Sequence, residues 1–181
     1  ETQSNQPSAT RAVAVDRVVR AAAALLEWSH ATPVWPLFDG GADPTVRTAL
    51  VAQLRKLGIA GRPLADFLLT QEARPTIRIG VMLALGEHPA EEIFSADDDR
   101  LIIRLRDWYR TDQHAGVHST VQWLLETQWQ RPITEKEQPS PLDVTSHRSG
   151  DWFDDTEAGT MVALGPATFW MGTPDARRVF P

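Results

Sequence analysis

The chain contains no cysteine and no long uninterrupted apolar segment. Without cysteine it cannot form a disulfide, a thiolate metal site or a cysteine nucleophile, although this absence says nothing about its compartment. The apolar run at residues 18–26 is interrupted by Arg20 and is far too short to cross a bilayer. We therefore predict no membrane-spanning segment.

A signal-peptide pattern and a basic stripe are also missing from the sequence. A chain that begins inside a longer precursor would lack the signal too, so the compartment stays open, with the cytoplasm favoured. The formal net charge is -6. Because binding to phosphates requires concentrated positive charge, nucleic acid is not the expected partner.

The motifs of the common catalytic sites are absent as well. No glycine-rich phosphate loop and no nucleophile elbow occurs in the sequence. His114 and His118 have the i, i+4 spacing of metal-binding helices, but no third ligand accompanies them, and a structural contact with a neighbouring repeat is favoured. The acidic run at residues 97–99 is interpreted as helix capping rather than a calcium loop. We predict no cofactor, no metal and no catalytic residue in this chain.

Three segments share one short motif, at residues 43–47, 74–78 and 114–118. Each has an aliphatic residue followed by Arg or His, and each opens a helical apolar pattern; residues 17–20 form a possible earlier copy. The interval from Val46 to Ile77 is 31 residues, a length typical of stacked two-helix repeats. The residue directly after the aliphatic one is Arg47 in the first segment, Arg78 in the second and His118 in the third.

Helix boundaries can be read from the same segments. Asp43 and Pro44 predict a helix start, and Gly58 predicts a stop in the left-handed conformation. Gly86 predicts the end of the second repeat helix. The predicted partner helices lie at residues 33–38, 63–70 and 96–110, the last with Ser95 and Asp98 at the spacing of a capping box.

The sequence pattern changes after Trp129. Residues 131–158 are polar, acidic and rich in Pro and Ser, which predicts a linker. Residues 159–164 and 167–172 then read as two short strands around Gly165 and Pro166, forming a hairpin. An isolated hairpin is marginal in water, so we expect Trp152 and Trp170 beside it to be interface candidates, whereas the tryptophans of the helical part are expected in the core.

Two family resemblances follow from these motifs. The three Pro/Gly-x-Val/Ile-Arg/His segments resemble HEAT-type repeats, which implies a stack of helix pairs serving as a scaffold. Residues 159–174 resemble the first strands of the formylglycine-generating enzyme (sulfatase-modifying factor) domain, a C-type-lectin-like fold found in large multidomain bacterial proteins. The cysteines and histidines that hold metal in that family have no counterpart here, so the resemblance transfers no catalytic residue.

The predicted fold is mainly α, a HEAT-like α-solenoid of about three to four helix pairs followed by an acidic linker and a short C-terminal β-hairpin. Its segments are a flexible terminus at residues 1–9, a helical repeat domain at 10–130, the linker at 131–158 and the truncated domain start at 159–181.

The predicted function is a non-catalytic scaffold or protein-interaction module that positions the attached domain. The alternative is the N-terminal fragment of a cleaved multidomain enzyme or effector, with its hairpin docked in the remaining domain. The interface candidates are Trp152, Trp170, Arg47, Arg78 and His118.

Overall fold

The computed structural model describes residues 6–94, 99–134, 152–155, 159–166 and 168. Within these residues the protein is mainly helical, as predicted. The chain divides into two compact units, Glu1–Ser140 and Pro141–Pro181, with a boundary inside the predicted linker. No helix in the described ranges combines the length and apolar character needed to cross a membrane.

The described part of the first unit contains seven α-helices. In chain order they are α1 (Gln6–Glu27), α2 (Thr45–Gln53), α3 (Arg62–Thr70), α4 (Pro75–Leu85), α5 (Ala90–Ile93), α6 (Arg100–Thr111) and α7 (Ala115–Gln122). Two 3-10 helices, Trp35–Phe38 and Arg55–Leu57, precede and follow α2, and a π-helix, Trp123–Gln128, continues α7.

The helices that begin at the repeated motif pack side by side. α2 contacts α4, and α4 contacts α7, while α1 contacts α2. A second set packs against them: α3 contacts α4 and α6, and α6 contacts α7. The predicted apolar stripes lie in the resulting core, where the fully or nearly fully buried members are Leu50, Leu54, Ile77, Val81, Ala84, Leu85, Val117, Val121, Leu124 and Leu125.

The predicted helix signals at α2 are confirmed in detail. The Asp43 carboxylate accepts a hydrogen bond of 3.1 Å from the Thr45 amide. After the 3-10 helix, Gly58 has φ +83 and the Ile59 amide donates to the Leu54 carbonyl at 3.1 Å, which closes the helix end. Gly86 also ends α4, but its φ of -65 is right-handed, so its small size rather than its backbone freedom is used there.

Several predicted boundaries differ from the structure. α1 begins at Gln6, inside the segment predicted as a flexible terminus, because Pro7 is compatible with the first turn of a helix. The helix predicted from residue 96 is described from Arg100, with residues 95–98 outside the described ranges. Asp99 occupies the N-cap position without a side-chain hydrogen bond, and the predicted capping pair, Ser95 and Asp98, lies outside the described residues.

In the second unit, two strands pair antiparallel. β1 (Trp152–Asp155) and β2 (Gly159–Val162) are in register from Trp152 opposite Val162 to Asp155 opposite Gly159. β2 lies within the first predicted strand, but β1 lies in the segment predicted as linker, because the aromatic pair that opens it suits a strand. Apart from Thr168, the second predicted strand lies outside the described residues.

Gly80 allows a close approach between helix α4 and the backbone of Phe38. A Cβ atom at this position of α4 would meet the Phe38 carbonyl oxygen, and it would lie 2.9 Å from the Phe38 Cβ. Phe38 ends the first 3-10 helix and is fully buried. The helix is therefore held against backbone, which cannot give way as a flexible side chain would.

We expect Gly80→Ala to destabilise the fold by about 1 to 2 kcal/mol, because overpacking outweighs the better helix propensity of alanine. The measurement is urea unfolding followed by circular dichroism. Gly41→Ala is the matched control, since a Cβ there has nothing within 4 Å. A Gly80→Ala chain as stable as the wild type would contradict this packing.

Candidate interaction site

A surface groove of about 440 Å³ lies beyond the C-terminal end of α2. We call it the α2–α5 groove. The left-handed turn at Gly58 sends Ile59 inward and leaves Ala60 on the groove wall. The residues that line it are Ala52, Arg55, Lys56, Gly58, Ile59, Ala60, Glu87 and Glu92.

Charged side chains of both signs line this groove. Arg55 donates to the Glu92 carboxylate at 3.0 Å, and this hydrogen bond is the main reason that the pKa of Glu92 is lowered and that of Arg55 is raised. Both side chains are about half exposed, so the pair stabilises the fold little. Its effect is to hold two charges in fixed positions on the groove wall.

His88 lies in the interior next to the groove. Its side chain is 1% exposed, and its Nδ1 is 3.5 Å from the second oxygen of Glu92. Burial lowers the pKa of His88 more than Glu92 raises it, so the ring is neutral at pH 7. The His88 carbonyl accepts a hydrogen bond of 3.1 Å from the Trp129 indole, which ties the end of the helical unit to this corner.

Sequence reasoning missed this site. The useful signal is Pro89 followed by Glu91 and Glu92, because proline at a helix start and acidic residues in the first turn are typical of a helix N-terminus. That pattern would have located α5. It would not have revealed the groove, which depends on the packing of α5 near the turn after α2.

Arg78 lies in a largely buried cluster between α4 and α6. Its guanidinium is 2.7 Å from the Asp112 carboxylate, and the two side chains are 13% and 11% exposed. It also lies 4.8 Å from the ring centre of Trp108, and Arg104 lies 5.0 Å from the same ring. Arg78 therefore links neighbouring segments, and its predicted role in a partner interface is corrected to an internal contact.

Arg47 is half-buried, and the structure does not bring it together with Arg78. Its guanidinium covers Gly40, where an added Cβ would lie 3.0 Å from the guanidinium carbon. The two arginines occupy the same position of the shared sequence motif, yet their surroundings differ. Arg47 keeps partial exposure and remains an interface candidate.

His118 is fully buried and is therefore no longer an interface candidate. Its ring stacks on Tyr109 of α6, with 4.0 Å between ring centres. This contact agrees with the structural role favoured from the sequence. His114 differs, since it precedes α7 and its Nδ1 accepts a hydrogen bond of 3.1 Å from the Gly116 amide. In the part of the chain that the structure describes, no group of three metal-binding side chains occurs.

The tryptophans are divided between core and surface. Trp108 and Trp129 are buried, as expected, whereas Trp28 is 70% exposed, so its assignment to the core is wrong. Trp152 is half-buried in β1. Trp170 lies outside the described residues.

Comparison of the chain with models of known protein families, with curated proteins and with solved structures finds no match.

The burial of His118 predicts a pH-dependent stability. Burial lowers the pKa of His118 to about 4, while the unfolded chain has a histidine pKa of about 6.5. The unfolded state thus binds the proton first, and the stabilisation that is present above pH 6.5 is lost as the pH falls towards 4. We expect a loss on the order of 3 kcal/mol from this residue.

The measurement is urea unfolding at a series of pH values. His118→Phe should keep the stacking on Tyr109 and flatten the curve, leaving the smaller contribution of His88. His30→Ala, at an exposed site, is the control and should keep the wild-type profile. An unchanged slope in His118→Phe would show that His118 does not cause the effect.

Proposed function

We propose that the chain is a non-catalytic helical-repeat scaffold or protein-interaction module that positions an attached formylglycine-generating-enzyme-like domain. In this proposal α1, α2, α4 and α7 form one layer of a HEAT-like α-solenoid, with the first 3-10 helix, α3 and α6 in the other. The order of helix contacts supports this arrangement. So does the recurrence of the motif at the starts of α2, α4 and α7.

The observation that carries the proposal is a junction of the same geometry at two of the three pairs of successive layer helices, α1 with α2 and α4 with α7. Asp43 and Asp112 precede α2 and α7, and one carboxylate oxygen of each accepts from the amide two residues ahead, at 3.1 Å and 2.9 Å. The other oxygen of each pairs with an arginine of the preceding layer helix, Arg11 in α1 and Arg78 in α4. Each aspartate thus connects the start of one helix to the arginine of the helix before it in the layer.

A junction of this kind suits a scaffold because it restrains the angle between neighbouring helix pairs. Repeat proteins are held together by contacts between nearest neighbours, and their function depends on the shape of the resulting surface. The inner pair, Arg78 and Asp112, is shielded from water, so removing either partner would leave a buried charge.

The α2–α5 groove is the partner site that we favour on this scaffold. Arg55, Lys56, Glu87 and Glu92 line it together with Ile59, and Arg55 and Glu92 are paired with each other. Such a groove fits a protein segment with charges of both signs and a small apolar side chain between them. It lies where α2 and α4 end, at one edge of the surface formed by α2, α4 and α7.

The attached domain is proposed because the sequence of residues 159–174 resembles the first strands of the formylglycine-generating enzyme family. The observed β2 and its pairing with β1 are compatible with such a start. The activity of a following domain would belong to that domain and not to the helices.

The interaction site is tested by site-specific photo-cross-linking. A benzophenone amino acid is placed at Ala52 in the groove and, as a control, at Gln71, which is exposed beyond α3. We expect a covalent adduct of defined mass from Ala52 only, in extracts of the source cells. Lys56→Glu should reduce its yield about tenfold, a typical cost of reversing an interface charge, whereas Arg110→Glu on α6 should not.

Equal adducts from both positions, or a Lys56→Glu chain with unchanged yield, would contradict the groove as the partner site. Both charge variants are compared with the wild type in urea unfolding, which separates loss of binding from loss of fold.

A further inference from the structure

α1 has two faces of different character. Val19, Ala22, Ala23 and Leu26 are buried, on the side that packs towards α2. The opposite side carries Arg17, Ala21 and Ala24, and Trp28 directly follows the helix, its amide still bonded to the Ala24 carbonyl at 3.0 Å. The four residues follow one another at i, i+4, i+7 and i+11 and so lie on one stripe. We call these four residues the α1 stripe.

The two ends of the α1 stripe lack partners in the described part of the chain. Trp28 is 70% exposed, which is unusual for so large an apolar side chain. Arg17 is exposed and forms no ion pair there, whereas its neighbour Arg20 is paired with Asp16 at 2.8 Å. Between the ends lie only alanines, which allow close approach of another helix.

The α1 stripe is complementary to a second copy of itself. Reading Arg17, Ala21, Ala24 and Trp28 against the same residues in reverse order places arginine opposite tryptophan at both ends and alanine opposite alanine in the middle. When two identical helices pack antiparallel, the numbers of opposing residues have a constant sum. This sum is the same for Arg17 with Trp28 as for Ala21 with Ala24, so one antiparallel register satisfies all four positions. Such a pairing has the two-fold symmetry typical of homodimers.

We propose that two copies of this chain associate through the α1 stripe, with α1 packed antiparallel to α1 of the second copy. Arg17 of each copy then stacks on Trp28 of the other. The chain already uses this chemistry internally, since Arg78 and Arg104 lie 4.8 Å and 5.0 Å from the Trp108 ring centre.

Charge supports a second copy as the occupant. In this register the two Arg17 side chains lie roughly 16 Å apart, eleven residues along the helix axis, so that salt at physiological strength screens their repulsion. Each cation meets an aromatic face instead of another cation. A second copy is complementary to the stripe in reverse order, whereas an unrelated partner or a lipid surface does not share this order of residues.

Sedimentation velocity of the 181-residue chain, over a range of concentrations, tests the association. We expect a dimer whose dissociation constant rises roughly 100-fold in Trp28→Ala, because the substitution removes the aromatic ring that stacks with Arg17 at both ends of the stripe, twice per dimer. Ile103→Ala, at a 65% exposed side chain on α6, is the matched control and should dimerise as the wild type does. A wild-type chain that stays monomeric, or a dimer unaffected by Trp28→Ala, would overturn the proposal.

Disulfide cross-linking tests the antiparallel register independently. The natural chain has no cysteine, so Ala21→Cys and Ala24→Cys chains each carry a single thiol. Under mild oxidation we expect the mixture of the two chains to form a mixed disulfide faster than either chain forms its own. Faster cross-linking of each chain with itself would indicate parallel packing and overturn the proposed geometry.

Discussion

The close packing of α4 is the constraint on which the helical unit depends. Its buried residues face neighbours on several sides, since α4 contacts α2, α3, α7 and the first 3-10 helix. Gly80 allows this because no side chain separates α4 from the Phe38 backbone. A helix packed in this way aligns the elements before and after it, so that the helices share one continuous core.

Ion pairs between neighbouring helices add to this packing. Asp43 and Asp112 each bind the amide at a helix start and an arginine of a neighbouring helix, but their surroundings differ. The Arg11 and Asp43 side chains are each 60% exposed, so their pair adds little to stability, whereas Arg78 and Asp112 are mostly shielded from water. The same local geometry therefore restrains one junction firmly and the other weakly.

The sequence predicts the local features better than the site. Capping by Asp43, the left-handed Gly58 and the apolar stripes follow from short-range chemistry, and the structure confirms them. The exposure of Trp28 and the burial of His118 depend on which helix packs where, a tertiary property that residue type does not encode. The α2–α5 groove was missed for the same reason, since Glu92 reaches Arg55 only across 37 residues of chain.

Distance measurement by electron spin resonance tests the central claim, that α2, α4 and α7 lie in one row. Spin labels are attached through cysteines introduced at Thr48 of α2 and Ser119 of α7, both exposed. Two steps of helix packing separate these helices by roughly 16 to 20 Å. We predict a narrow label-to-label distribution centred at roughly 20 to 30 Å. A distribution centred below roughly 12 Å, near the spacing of directly packed helices, would show that α2 and α7 pack on each other in a closed bundle and would contradict the account.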